Sequence, residues 1–590
     1  MMDLSQYRLE TLHHDREFVL YRGLSTTEAE TSSPSILALS PASERPAPAT
    51  IKKMEHELSL KDELDPAWAI RPIALTHAQS RTMLVFEDPD GEPLDRLLRR
   101  PMELKQFLRC AIGLSAALSQ VHRRGLIHKD IKPSNVMANA AMDQAWLMGF
   151  GIASRLPRER RAPEPPEFIA GTLPYMAPEQ TGRMNRSVDS RTDLYALGIT
   201  LYEILTGSLP FTASEPMEWV HCHIAKQPVP PGDRMQSIPG ALSEIILKLL
   251  AKTPEERYQT AAGVESDFRR CLEDLEHKGR VHDFAVGDHD RPDYLQIPEK
   301  LYGRESEIEM LLASFDRIVN GGVPELVLVS GYSGMGKSSV VNELQPVLVP
   351  SRGLFASGKF DQYKRDIPYS TLAQAFQSLI RQLLTKNETE ICKWREDLRE
   401  ALDQNGQLIV DLVPELKLII GDQPPVPEVP AQDAQRRFQM VFRRFISVFA
   451  RREHPLALFL DDLQWLDGAT LDLLEDLLTR SELQHLMLVG AYRDNEVDAA
   501  HPLIRKLEAI KSAGGKLKEI TLGPLAQEHL VQLLADALCC ERERSTPLAQ
   551  LVQEKTGGNP FFTIQFISSL GEEKMLTFDS DRVFSVLFTP

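Results

Sequence analysis

Residues 331–338 read Gly-Tyr-Ser-Gly-Met-Gly-Lys-Ser, and they come directly after the apolar run Glu325-Leu-Val-Leu-Val-Ser330. This is the pattern G-x-x-x-x-G-K-[ST], set where a buried strand passes into a helix. Gly331, Gly334 and Gly336 let the backbone turn sharply and aim its N–H groups at one point. Such N–H groups at a helix start hold phosphate. Lys337 would reach the β- and γ-phosphates of ATP, and the Ser338 hydroxyl would be a ligand of Mg2+.

The rest of the chain must supply a sheet around that loop. Strand candidates Leu326–Ser330, Leu354–Ser357, Leu456–Leu460 and Leu486–Ala491 are separated by helical segments. Strands alternating with helices predict a parallel sheet. The run Leu456–Leu460 ends in Asp461 and Asp462. A buried strand that delivers carboxylates at its C-terminal end is the partner a phosphate loop needs. Asp461 would hold Mg2+, mostly through water, and Asp462 would polarise the attacking water.

Composition narrows the partners. The chain has 590 residues, 42% hydrophobic and 26% charged, which is globular composition with room for about three or four domains. A net charge of −17 and a pI near 5.5 argue against nucleic acid or lipid as partner. No apolar stretch is long enough to span a bilayer, and the N-terminal Met-Met-Asp-Leu-Ser-Gln carries no basic-then-apolar signal. Six cysteines without a C-x-x-C fit reduced thiols in a cytoplasm. A stretch from about Glu276 to Lys300, rich in Asp, His, Pro and Gly, reads as a linker. Two further breaks, Gly421–Pro430 and Pro157–Glu167, are rich in proline.

Several motifs in the second half resemble the signal-transduction ATPases with numerous domains, the STAND class. They are Leu301-Tyr-Gly-Arg-Glu305, Asp461-Asp-Leu-Gln-Trp-Leu-Asp467, Gly490-Ala-Tyr-Arg-Asp-Asn-Glu496, Leu522-Gly-Pro-Leu525 and Thr556-Gly-Gly-Asn-Pro-Phe-Phe562. The resemblance covers about residues 300–570. It implies that Gly303 and Arg304 lie near the adenine, that Arg493 senses the γ-phosphate, and that Pro524 closes the pocket from a helical lid. It also implies a switch, in which nucleotide exchange and slow hydrolysis move the lid and control self-assembly.

The first half carries a second set. His128-Lys-Asp-Ile-Lys-Pro-Ser-Asn135 resembles the catalytic loop of Ser/Thr protein kinases. The resemblance runs over about residues 8–275. It implies that Asp130 accepts the substrate hydroxyl proton, Lys132 neutralises the transferring phosphoryl and Asn135 binds Mg2+. Gly171-Thr-Leu-Pro-Tyr-Met, Ala177-Pro-Glu179 and Asp193-Leu-Tyr-Ala-Leu-Gly198 also match, and Arg257 is the expected ion-pair partner of Glu179.

Three kinase parts depart from the pattern. The metal-binding D-F-G is Gly149-Phe150-Gly151, no G-x-G-x-x-G lies near Asp15–Gly23, and Ser40 stands where the strand lysine belongs. Glu57, on the following helix, is thereby left without its usual partner, and Lys52 or Lys53 are possible substitutes. Between Arg155 and Gly171 there is no Ser, Thr or Tyr, so phosphorylation there cannot order the segment. That stretch reads as a solvated loop or as a docking segment for a protein partner.

The expected architecture is an α+β bilobal protein-kinase fold over 1–275, a linker over 276–299, an α/β P-loop NTPase with a parallel sheet over 300–500, and a partial helical lid over 501–590. The domain order resembles bacterial hybrid signalling proteins. The sensor and histidine-kinase parts that follow in those proteins are not among these 590 residues, so the chain reads as a short or truncated member. Three functional readings stay open. One is an ATP-hydrolysing switch whose kinase-like part binds proteins. A second is an active Ser/Thr protein kinase regulated by the ATPase. The third is a non-catalytic scaffold.

Overall fold

The computed structural model describes residues 4–26, 35–78, 81–98, 101–155, 159, 171–292, 295–348, 353–361, 368–384, 388–480, 483–573, 575–578 and 584–586. Apart from Glu159, the proline-rich break at 157–167 lies outside the described residues. The chain divides into two units, Met1–Pro292 and Asp293–Pro590. Among the described residues no helix is long and apolar enough to cross a membrane.

The first unit opens with an antiparallel sheet of strands β1 (Tyr7–His14), β2 (Phe18–Ser25), β3 (Ile36–Pro41), β4 (Pro72–Ala78) and β5 (Arg81–Glu87), in the order β1-β2-β3-β5-β4. Helix α1 (Pro48–Ser59) packs on it through Met54, which shares a buried cluster with Leu12, Leu20, Leu37, Leu84 and Phe86. The larger lobe is helical. Helix α2 (Leu104–Arg123) lies against a later helix through an edge-on Phe107–Phe268 pair, centroids 5.9 Å apart. Helix α3 (Ser190–Thr206) is apolar nearly all round and is accordingly buried nearly all round. Asp189 caps its first turn and exchanges hydrogen bonds with Thr192.

The expected linker begins inside helix α4 (Ala261–Lys278). The chain beyond it folds back onto the helical lobe. Asp290 accepts hydrogen bonds from the Thr260 N–H (2.9 Å), the Thr260 hydroxyl (2.8 Å) and the Gln259 N–H at the start of α4. The Arg270 guanidinium covers the Phe284 ring at 4.2 Å. At the far end, Ile297 is buried in the second unit's lid cluster. Charged and turn-forming residues hid this docking, because their partners are backbone groups distant in sequence.

The second unit is built on a parallel sheet of β9 (Glu325–Ser330), β10 (Leu354–Lys359), β11 (Leu456–Asp461), β12 (Leu486–Tyr492) and β13 (Lys516–Thr521), following three short strands of the first unit, β6 (Glu92–Pro93), β7 (Val136–Ala138) and β8 (Ala145–Leu147). Its order is β10-β11-β12-β9-β13. The two-residue alternation of a strand sends side chains to two cores. Val327, Val329, Phe459 and Val489 join Phe315 of helix α5 (Glu305–Gly321) on one face. Leu326, Leu328, Leu458 and Leu488 join Phe376 of α7 (Ser370–Leu383) and Phe442 of α8 (Ala431–Phe449) on the other. Between them in sequence, α6 (Lys337–Asn342) follows the phosphate loop.

Strand β13 lies beyond residue 500, where the lid was expected to start, so the sheet extends to Thr521. After it come three helices, α9 (Gln527–Leu538), α10 (Arg542–Thr556) and α11 (Pro560–Glu572), packed around Leu530, Leu534, Val552 and Ile567, in the segment the sequence reads as a lid. If the segment after α4 is part of the first unit, Asp290→Ala should cost about 2 kcal/mol, from three lost hydrogen bonds at a helix start. Urea unfolding of the full chain measures this, and an unchanged midpoint would show that the segment is an idle tether.

Candidate nucleotide sites

The loop after β9 needs its glycines. Gly331, Gly334 and Gly336 all have positive φ (147°, 81° and 88°). Gly336 is the N-cap of α6. Lys337 is nearly buried, and its ammonium donates to the carbonyls of Gly331 (2.8 Å) and Tyr332 (3.0 Å). Burial holds its pKa below the ordinary lysine value, with Asp461 partly offsetting that. The Ser338 hydroxyl donates to Asp461 Oδ2 at 2.8 Å. Hydroxyl and carboxylate are the hard oxygen donors that suit Mg2+, so the residues present fit that ion.

Asp462 sits in the left-handed region at φ 58°, a conformation uncommon for a residue with a side chain. Its N–H donates to Asp461 Oδ1 (2.9 Å), which fixes the turn. Its carboxylate is almost fully buried and accepts from Gln464 Nε2 at 2.9 Å. Two cations flank it, Arg493 Nε at 3.5 Å and Lys359 Nζ at 3.2 Å. Arg493 is held over the Trp465 ring at 5.1 Å and paired with Glu496 at 2.7 Å. Lys359 belongs to no motif in the sequence. The available signal was its place at the C-terminal end of a parallel strand, the end at which such sheets bind ligands.

The remaining residues of this site come together at the sheet's edge and the lid. The Arg304 guanidinium is buried, bonds to the Gly523 carbonyl and lies 3.9 Å from Glu307. Gly303 has φ 59°, and any side chain there would run into the His529 ring of α9. Pro524 is exposed, directly after Gly523. The Leu522 N–H donates to the Ser330 carbonyl (2.8 Å), which seats this turn beside the phosphate loop.

In the first unit the loop His128–Asn135 is tied down by hydrogen bonds. Asp193 of α3 accepts from the N–H groups of His128 (2.8 Å) and Lys129 (2.7 Å). Asp130 Oδ1 accepts from the Thr172 hydroxyl at 2.8 Å, and Oδ2 accepts from Asn135 Nδ2 at 3.0 Å. Lys132 Nζ donates to Thr172 Oγ1 at 2.8 Å and lies 3.3 Å from Asp130. The Glu179–Arg257 ion pair is completely buried, with bonds of 2.7 and 2.9 Å. Lys129 pairs with Glu159 at 2.9 Å, so a carboxylate neutralises the cation ahead of Asp130.

The phosphate and metal side of the same cleft is built differently. Ser40 is fully buried, and its hydroxyl donates to the neighbouring Pro41 carbonyl at 3.3 Å. Lys52 is exposed, and Lys53 is engaged by Glu17 at 2.7 Å. Glu57 accepts from the N–H groups of Gly149 (2.8 Å) and Phe150 (3.0 Å) instead of pairing with a lysine. Gly149 has φ 82°, and a Cβ there would lie 2.7 Å from Asn135 Nδ2. The β1–β2 turn is short and acidic. Asp15 accepts from the Glu17 and Phe18 N–H groups, at 2.8 and 2.7 Å, so those donors are not free for phosphate. His13 is pushed up to about 9 by Asp15 and by Asp95, whose carboxylate lies 2.6 Å away.

Residues 32–269 match the protein kinase domain family, and residues 300–489 match the AAA ATPase domain family. The chain is thus a protein kinase domain followed by an AAA ATPase domain, two domains of ATP-using classes. Over 81% of its length it is 26% identical to hybrid signal transduction histidine kinase G of Dictyostelium discoideum, covering 18% of that protein. Over 83% it is 23% identical to histidine protein kinase 1 of Candida albicans, covering 22% of it. The kinase part is 37% identical to serine/threonine-protein kinase PknB of Mycobacterium tuberculosis over 33% of this chain and 31% of that one. The chain therefore spans about a fifth to a third of the length of these relatives.

Burial pushes the Glu57 carboxyl from an ordinary 4.5 up to about 7, although the two backbone N–H bonds pull it down. The folded chain then keeps a proton that the unfolded chain loses. The stability this contributes is complete below pH 4.5 and declines as pH rises through 7. Glu57→Gln should flatten that decline, read as the difference in unfolding midpoint between pH 5 and pH 8. An unaltered decline would place the titration elsewhere.

Proposed function

We propose that the chain is an ATP-driven signalling switch. Its second unit binds ATP with Mg2+ and hydrolyses it, and its first unit is a pseudokinase that binds proteins. The contrast between the two sites carries this reading. In the second unit the loop lysine, the loop hydroxyl and both strand-end carboxylates are in place. In the first, a buried serine stands for the strand lysine and Gly149 for the metal-binding aspartate.

The chemistry follows from these positions. The Lys337 ammonium is desolvated and donates to the carbonyls of Gly331 and Tyr332, so an entering triphosphate would add charge-assisted partners to it. Ser338 and Asp461 would hold Mg2+, which would supply positive charge at the phosphates. Asp462, flanked by Lys359 and Arg493, is placed to polarise an attacking water. Arg493, beside Asp462, would sense the γ-phosphate. Gly303, Arg304 and Pro524 line the base end. The STAND likeness supports lid movement and nucleotide-dependent self-assembly as the output, and the histidine-kinase and Ser/Thr-kinase relatives support a place in phosphosignalling. Loss of the metal carboxylate at 149 removes several kcal/mol of charge stabilisation from the kinase-like site, on the order of hundreds-fold in rate.

A second reading, an active Ser/Thr protein kinase, draws support from the assembled Asp130, Lys132, Thr172 and Asn135. One assay separates the two. With radiolabelled ATP, Lys337→Ala should lower phosphate release about a hundredfold or more. Asp130→Asn should leave it unchanged, and neither protein should label itself or a generic substrate. Turnover that survives Lys337→Ala would remove the ATPase reading. Robust labelling that disappears in Asp130→Asn would establish the kinase instead.

A further inference from the structure

The last lid helix, α11, begins on the phosphate loop itself. Asn559 is its N-cap. Its side-chain Oδ1 accepts from the N–H groups of Phe561 (3.1 Å) and Phe562 (3.4 Å), the ordinary duty of a capping residue. Its amide group has a second partner outside the lid, because Nδ2 donates to the Ser333 carbonyl at 2.9 Å. The Phe561 N–H also reaches the next loop carbonyl, Gly334, at 3.2 Å. Two consecutive carbonyls of the phosphate loop are thus held by one lid turn.

The fit is close. Asn559 is 8% exposed. A Cβ on Gly334 would stand 2.7 Å from Asn559 Oδ1 and 2.9 Å from Phe561 Cβ. A trans peptide points its C=O and N–H in opposite directions. Turning the Ser333 carbonyl to the lid therefore turns the Gly334 N–H away from it, toward the inner side of the loop. Hydrogen bonding at the carbonyl also polarises that peptide and makes its N–H a better donor. The lid side is tied down in turn, since the Gly558 carbonyl accepts from the Leu525 N–H at 2.8 Å, next to Pro524.

We propose that Asn559 is a positioning residue of the phosphate site. Through the Ser333 carbonyl it holds the loop in its phosphate-receiving form, and it makes loop geometry and lid position a single event. Release of nucleotide then requires, or is hastened by, rupture of this bond. The proposal rests on residues 331–338 being the nucleotide site.

The test uses the full chain, the fluorescent nucleotide mant-ADP with Mg2+, and three variants. Asn559→Ser keeps a capping oxygen and is too short to reach Ser333. Asn559→Ala loses both functions. Lys337→Ala reports on the site itself. Displacement of mant-ADP by excess ATP should be about three- to tenfold faster in both Asn559 variants, the range one neutral hydrogen bond spans. Only Asn559→Ala should also lower the thermal transition, through loss of the cap. Wild-type release from Asn559→Ser would overturn the proposal and leave Asn559 a cap alone. Absence of mant-ADP binding to the wild type, or undiminished binding to Lys337→Ala, would overturn the nucleotide site and the positioning role with it.

Discussion

The hydrogen bond from Ser338 to Asp461 spans a strand. The phosphate loop leaves β9 and the carboxylates leave β11, and β12 lies between them in the sheet. Each parallel neighbour is about 4.8 Å away, so the two ends stand roughly 10 Å apart at the backbone. Only side chains reaching over the end of β12 can close that interval. Serine from the first turn of α6 and aspartate from the last residue of β11 do so. The crevice so formed lies outside the C-terminal ends of parallel strands, where such sheets bind ligands. Gly490 near the end of β12 belongs to the same constraint. A side chain there would collide with Leu463, the residue after the carboxylate pair. The turn that aims Asp462 therefore depends on a glycine in the strand beside it.

Around this crevice, what the sequence showed and what it hid follow from how each part is stabilised. Strands β9 and β12 are buried on both faces, and so is β11 up to its last residue, so they stand out as unbroken apolar runs. Strand β13 reads Lys516-Leu-Lys-Glu-Ile-Thr521 with only Ile520 buried. Edge strands carry charge to keep their open side from pairing further, and that charge concealed it. Strand β1, also at an edge, has the same mixed character. The phosphate-loop residues were legible because their chemistry needs fixed residue types at fixed spacing. Lys359 was not, because it meets Asp462 only through the register that pairs Lys359 with Asp461 across two parallel strands. Asn559 belonged to a visible motif, but its bond to Ser333 joins positions 226 residues apart.

The kinase domain illustrates the opposite relation between motif and geometry. Its matched motifs describe a frame, and that frame is intact. Asp193 grips the catalytic loop, and Glu179 and Arg257 bury a complete ion pair. A buried pair of this kind contributes little net stability by its presence, but removing either partner is costly because it strands a charge. This is a reason for the frame to persist whether or not phosphate is transferred. The parts that differ from the kinase pattern are those that would meet phosphate and metal.

The differences at the cleft compensate one another physically. A lysine at position 40 would pair with Glu57 and keep it ionised. With serine there, the buried Glu57 side chain accepts instead from the backbone N–H groups of Gly149 and Phe150. Those donors are available in this geometry because residue 149 takes φ 82°, which glycine adopts without strain. The same lack of a Cβ lets the Asn135 side chain settle against residue 149, and from there Asn135 bonds Asp130. An aspartate restored at 149 alone would meet Asn135 within contact distance and would add a second carboxylate beside the uncompensated Glu57. It would still find the Asp15 and Glu17 carboxylates where a glycine-rich loop presents N–H groups. The phosphate loop of the second unit differs, because there Lys337 is desolvated, donates to the carbonyls of Gly331 and Tyr332, and has the Asp461 carboxylate to offset part of its burial.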